Sequence, residues 1–164
     1  MKQLCKINIT WVLAIFLIGL NGCIYKKMEL SSEMQAEIRS EISLTFNELA
    51  NSAKSLDVDK YLAFFDHKMF TSLNQDGSVF HTLTDFISPY KEQISHIKRY
   101  TNLEFQKIKI TVINKTAVVL VNEYQATVVL NSGDEVTASG AGTQVWSKTS
   151  GQWKLVHVSS SAKK

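Results

Sequence analysis

Four β-rich runs follow one another between Asn102 and Ser160, and no other feature limits the fold of this chain as strongly. They read NLEFQKIKITVI (102–113), TAVVLVNEYQATVVL (116–130), DEVTASGAGTQVWSK (134–148) and QWKLVHVSS (152–160). Between them stand Asn114-Lys115, Asn131-Ser132-Gly133 and Thr149-Ser150-Gly151. Short connections bearing Asn and Gly favour antiparallel hairpins, so four sequential strands of this length form a meander. Twist accumulates along such strands and forces the sheet to curl. Gly140 and Gly142, two apart and therefore on one face, are where a bend or bulge costs least.

A curled sheet needs something to cover its concave side, and the preceding residues supply helices. Met34, Ile38, Ile42, Phe46 and Leu49 recur at spacings of four and three, the stripe of an amphipathic helix of about six turns. Ser32 followed by Gln35 fits a capping box at its start. The stretch DVDKYLAFF (57–65) predicts a shorter helix capped by Asp57, with Tyr61, Leu62 and Phe65 turned inward. MFTSLNQDGSVF (69–80) reads as two short extended pieces around a turn at Gln75-Asp76-Gly77. A third helix is expected over 84–96, with Pro89 in its first turn if Ser88 is the cap and otherwise at a kink. The expected architecture is an α+β cone over residues 32–161, with three N-terminal helices packed in the concave face of a curved antiparallel sheet and a short tail at 162–164.

The beginning of the chain has a different character. Lys2 and Lys6 precede an apolar run from Ile7 to Leu20, shorter than the roughly 20 apolar residues that span a bilayer. A basic start, a short apolar middle and small residues at the end describe a secretory signal peptide over residues 1–22. Leu20-Asn21-Gly22-Cys23 resembles the lipobox of bacterial lipoproteins. Cys5 lies within the signal, so Cys23 would be the mature chain's sole cysteine, without an intramolecular partner. Each buried methylene of an acyl chain contributes about 0.8 kcal/mol, so more than one chain on Cys23 gives a stable membrane anchor. Residues 23–31 then read as lipidated cysteine and tether, and the location as the bacterial cell envelope, facing periplasm or exterior. An ordinary secreted form, or one anchored by an uncleaved signal, is the alternative.

Removing residues 1–22 from 164 leaves 142, enough for one domain with a full core. The whole chain has 18 Lys and Arg against 15 Asp and Glu. Losing Lys2 and Lys6 brings the balance close to neutral, without the clustered basic face that nucleic acid demands. With Pro89 its only proline, the chain has no internal linker.

The tail GTQVWSKTSGQWKLVHVSSS (142–161) resembles the closing hairpin of the nuclear transport factor 2-like superfamily. It is particularly similar to the association domain of calcium/calmodulin-dependent protein kinase and to its bacterial SnoaL-like and DUF4440 relatives. Thr143, Val145-Trp146, Gly151, Trp153, Val156-His157 and the terminal serines carry the likeness. LDVDKYLAFFDHKMF and TLTDFISPYKEQI are similar to that family's second and third helices. The resemblance implies a conical fold with a pocket between sheet and helices, and often a dimer through the outer sheet face. It implies no particular reaction, because such folds host many.

A general acid or base in such a pocket would be a carboxylate or His with a pKa moved toward neutrality. The ketosteroid-isomerase branch places a catalytic aspartate in the strand after the second helix, but Met69 to Leu73 contain no carboxylate, and Asp66 and Asp76 fall in loops. Positions matching the pocket arginines of the kinase domain are Gln144, Ser160 and Glu123 or Tyr124, none of them basic. What remains is a neutral, aromatic-rich set. By strand alternation and the family comparison, Gln144, Trp146, Val158 and Ser160 face the concave side, with Glu123 and Tyr124 beside them. Tyr61, Phe65 and Tyr90 would close it from the helices. For any single one of these aromatics, a place in the core is the preferred reading.

Trp153, Leu155 and His157 share the opposite face and are the expected dimer surface. His67, His81, His96 and His157 have no compact metal-ligand spacing, and neither a phosphate loop nor a nucleophile elbow occurs; no cofactor is expected. Two functions remain open. One is a non-enzymatic module that is anchored through acylated Cys23, dimerises, and binds a small apolar ligand or an envelope protein. The other is a SnoaL-like enzyme of isomerase, cyclase or dehydratase type, in which Tyr61, Asp66, Glu123 or Tyr124 transfers a proton.

Overall fold

The computed structural model describes residues 30–148 and 151–163. The expected signal peptide, Cys23 and most of the tether lie outside the described residues. Helices α1 (Ser32–Lys54), α2 (Val58–Leu62) and α3 (Leu83–Ser95) accompany strands β1 (Thr71–Leu73), β2 (Val79–Phe80), β3 (Ile97–Asn114), β4 (Ala117–Leu130), β5 (Glu135–Ser147) and β6 (Lys154–Ala162). The six strands form one curved, open sheet in the order β2-β1-β6-β5-β4-β3.

The expected stripe covers the sheet: Ile38, Ile42, Phe46 and Leu49 of α1 are buried against Val118 and Leu120 of β4, Trp146 of β5 and Leu155 of β6. The cap of α1 is Ser31 rather than Ser32. Its hydroxyl accepts from the Met34 amide at 3.2 Å, while the Gln35 side chain reaches back to the Leu30 carbonyl. Asp57 caps α2 by accepting from the Lys60 amide at 3.0 Å. Thr82 caps α3 in the same way, accepting from Asp85. This places Pro89 inside the helix rather than in its first turn, so the turn around Asp85 lacks one amide donor.

The meander over β3, β4, β5 and β6 is antiparallel throughout, as the turn residues predict. The whole sheet is mixed, because β1 runs parallel to β6 (Thr71↔His157 to Leu73↔Ser159). The β1–β2 hairpin enters through helices rather than through a tight turn, which frees its direction. Gly140 and Gly142 carry no bulge in the β4–β5 ladder, which passes both without a register shift. The irregularities are in β3, which has four register shifts against β4, one of them around Lys107 with φ +49°. Bulges of this kind bend a strand and increase its twist.

One further irregularity falls where Trp146 pairs with Leu155 while Val145 pairs with His157. Val156 is the extra residue, and alternation changes phase there. Leu155 consequently joins Trp146 in the core, fully buried, instead of facing outward with His157. This corrects the expected dimer surface. Trp153 leaves that surface as well, being 7 % exposed and turned toward α1, where its indole N–H donates to Glu41 at 2.6 Å. His157 stays on the outer face, its Nδ1 2.8 Å from the Thr71 hydroxyl.

Candidate functional site

Three clefts are lined wholly by described residues and are large enough to matter. The largest of these, about 560 Å³, lies over Glu41, Lys148 and Trp153, where Lys148 Nζ is 2.7 Å from Glu41 Oε2. A second, of about 420 Å³, separates α1 from the bulged part of β3 near Ile108. The third, about 390 Å³, opens between α3, the β1–β2 hairpin and the end of β6. Its lining residue Phe86 packs against the core, and its volume suits a small ligand.

Its floor is aromatic. Phe80, Phe86 and Tyr90 line it, and the rings behind them are continuous: Phe86 stacks on Tyr90 at 5.1 Å and on Phe65 at 5.6 Å, and Tyr61 stacks on Tyr90 at 5.0 Å. The local cause is sequence spacing. Phe86 and Tyr90 are four apart on α3 and so project from one side of the helix. Burial pushes the hydroxyl pKa values of Tyr61, Tyr90 and Tyr100 upward, and mutual repulsion of the charged forms adds to this at Tyr61 and Tyr90. All three therefore remain neutral hydrogen-bonding groups at physiological pH.

The rim is polar and rests on the turn at residues 74–78. Ser78 donates to Asp76 through both its hydroxyl (2.6 Å) and its amide (2.9 Å), which holds the exposed Asp76 carboxyl below its ordinary pKa. Gln75 donates to the Tyr124 hydroxyl at 2.5 Å, and that hydroxyl donates in turn to the Ser161 carbonyl at 3.4 Å. Tyr124 thus ties the hairpin turn to the far end of β6. Its ring lies across Gly140, the residue opposite it on β5. Gly140 serves to accommodate that ring.

The residues expected to form a pocket separate into three groups. Tyr90 and Ser160 line the cleft, and Tyr124 and Tyr61 adjoin it through Gln75 and Tyr90. Trp146 and Phe65 are core, Val158 packs against the core, and Gln144 is buried with its carbonyl bonded to Trp146 Nε1 at 3.0 Å. Glu123 is on the outer face, because it neighbours inward-facing Tyr124 on one strand and successive side chains alternate. There it pairs with Lys107 at 2.7 Å, and that bond is the main cause of its lowered carboxyl pKa. Asp66 sits in a loop and accepts from the amides of Lys68 and Met69. Among the described residues no group of three or more His, Cys, Asp or Glu converges.

Sequence reasoning missed Asn122. It is buried on the concave face beside the cleft, and its Oδ1 has no hydrogen-bond partner among the described residues. The signal was present: the inward series of β4, Val118, Leu120, Asn122 and Tyr124, turns from aliphatic to polar at an amide.

An open, curved sheet whose helices leave an aromatic cleft at one end defines a nuclear transport factor 2-like protein, and solved structures agree. The chain superposes on a protein of that superfamily from Salmonella enterica with a TM-score of 0.70 at 18% identity, covering 79% of this chain and 94% of that one. A protein described provisionally as a scytalone dehydratase from Novosphingobium aromaticivorans gives 0.74 at 10% identity, over 82% and 89% of the two chains. The association domain of C. elegans CaMKII gives 0.61 at 17% identity, over 80% and 99%. No curated protein matches the chain. The family model of the SnoaL-like domain matches residues 42–163, and the chain belongs to that family.

Proposed function

We propose that this protein binds a small, uncharged, ring-bearing molecule in the cleft beneath α3. The observation that carries the reading is the chemistry of the lining: an aromatic floor, neutral amides and hydroxyls, and a single carboxylate, Asp76, that is held ionised at the exposed rim. A group so disposed is a poor general base near neutral pH, while stacked rings with few polar groups suit ligand binding.

In this reading the module is tethered through acylated Cys23 and pairs with a second copy through the outer sheet face. There Val119, Val145 and His157 stand side by side, as do Val121, Thr143 and Ser159, a stretch without charge. The fold shared with an association domain supports pairing. Native mass spectrometry of the protein extracted in detergent tests the proposal. A reproducible small added mass, lost when Ser160→Trp fills the cleft, is the expected result. A clean empty chain that also fails to take up apolar ring compounds refutes ligand binding.

The second reading is a dehydratase or isomerase, favoured by the descriptions of similar structures. Its proton donors would be the neutral tyrosines, with Tyr90 foremost, since Asp66 and Glu123 face away from the cleft. Turnover of a bound ring compound that Tyr90→Phe abolishes would establish it.

A further inference from the structure

We infer that Asn122 is the polar anchor of this cleft, and that the ligand is a flat ring compound whose hydroxyl reaches over Gly142 to donate to Asn122 Oδ1. The inference rests on the binding reading above and deepens it.

Asn122 is 6 % exposed, and its Oδ1 is one of two buried side-chain polar atoms without a partner among the described residues. Its Nδ2 donates to the Glu123 carbonyl at 3.2 Å, so the end of the amide left over is the acceptor. A buried acceptor with nothing to accept from costs about 1–3 kcal/mol, and folded proteins leave few such groups without a use.

The direction of the amide is set by its neighbours. Asn122, Gly142 and Ser160 lie side by side across β4, β5 and β6. A Cβ on Gly142 would sit 3.3 Å from Asn122 Oδ1 and 3.8 Å from its Nδ2. The amide therefore leans over the bare glycine toward Ser160, which lines the cleft. Along β4 it stands between fully buried Leu120 and Tyr124, whose hydroxyl is bonded to Gln75 at the rim. The acceptor thus shares a register row with Ser160 of the cleft lining and borders the core through Leu120. Two strand spacings separate Asn122 from Ser160, roughly 10 Å, and the leaning side chain takes up part of that span.

Gln144 completes the pattern. It is the next inward residue of β5 after Gly142, and its carbonyl is occupied by Trp146 Nε1. That leaves Asn122 Oδ1 as the free acceptor, and a ligand hydroxyl is the uncharged group that donates to it. A carboxylate would press its charge on Asn122 Oδ1, and the cleft lining contains no Lys or Arg to offset it.

The test compares 2-naphthol with 2-methoxynaphthalene, which keeps the rings and loses the donor. Both are titrated calorimetrically into the full chain in non-ionic micelles, with free probe taken from matched empty micelles. Wild type should prefer the naphthol by roughly 10-fold, the consequence of one satisfied buried acceptor. Asn122→Leu, of similar volume, should abolish that preference. Gly142→Ala, which puts a methyl group in the path to Oδ1, should reduce it and serves as the deciding variant if Asn122→Leu does not fold. Equal affinities in wild type, or a preference that survives both folded variants, overturn the anchor while leaving the cleft as a binding site. If wild type binds neither probe, the binding reading falls and the anchor falls with it.

Discussion

Alanine in place of Gly140 and alanine in place of Gly142 should have different consequences, although the two glycines are two residues apart on one face of β5. At Gly140 an added Cβ would run into the backbone carbonyl of Ser161 and come within 2.6 Å of the Tyr124 hydroxyl oxygen and 2.8 Å of Cζ. Neither obstacle moves easily, since one is backbone in the β5–β6 ladder and the other is a ring held by Gln75. Overpacking costs about 1–3 kcal/mol, and displacing Tyr124 sacrifices its bonds to Gln75 and Ser161, worth about 1 kcal/mol for the shorter one. Gly140→Ala should therefore destabilise by about 3 kcal/mol, or roughly 10 °C in Tm for a domain of this size. At Gly142 the nearest atom is 3.3 Å away at the end of a side chain, and the next is 3.7 Å away. Alanine there regains about 0.5–1 kcal/mol of backbone entropy, which leaves the variant within about 1 kcal/mol of wild type. Urea and thermal unfolding followed by tryptophan fluorescence measure both. Unfolding midpoints that coincide for the two variants would refute this account of why β5 carries glycine at 140.

Four other expectations follow from the packing and the charges. Lys148, then Trp153, hold the Glu41 carboxyl below its ordinary pKa of 4.5. That stabilisation is present above the unfolded value and is lost as pH falls through the lower folded one. Glu41→Gln should cost about 1 kcal/mol at pH 7, a figure kept small by the site's exposure, and the gap to wild type should close in urea titrations repeated at pH 3. Leu120→Ala, at a fully buried position, should cost about 2–5 kcal/mol in the same assay. Val121→Lys on the outer face should give a monomer by analytical ultracentrifugation without loss of Tm, whereas a variant that still dimerises would exclude that face as the contact. Spectrophotometric titration should show Tyr61, Tyr90 and Tyr100 ionising above the ordinary value of 10.0, with the delay removed by denaturant.

Local signals were legible wherever the local pattern decides the outcome. The stripe from Ile38 to Leu49, the cap at Asp57, the turn at Gln75-Asp76-Gly77 and the four-strand meander all depend on residues close in sequence. The failures share a different cause. Leu155 was assigned to the outer face because alternation was extended through Val156, and a bulge depends on the partner strand rather than on the strand's own residues. Glu123 was grouped with Tyr124 through a family comparison one residue uncertain, which on a strand is the difference between inside and outside. The parallel pairing of β1 with β6 and the Glu41–Trp153 bond join residues far apart in the chain, with no local trace. The aromatic floor was half legible: Tyr90 and Ser160 line the cleft, but Trp146 and Phe65 are core, and composition does not distinguish a ring that lines a cavity from one that fills it.

β6, last in sequence order among the strands of the described residues, is not at an edge of the sheet but between β1 and β5. Thr71 and His157, joined by a hydrogen bond, are 86 residues apart. As the chain emerges from a ribosome, everything up to Ser147 is available while β1 and β5 each still lack a neighbour, so the sheet cannot be completed piecemeal. Pairings of such separation form late and slowly. Until β6 arrives, the β1–β2 hairpin and the β3–β4–β5 ladder share no strand, so the two parts of the sheet are joined in a single late step.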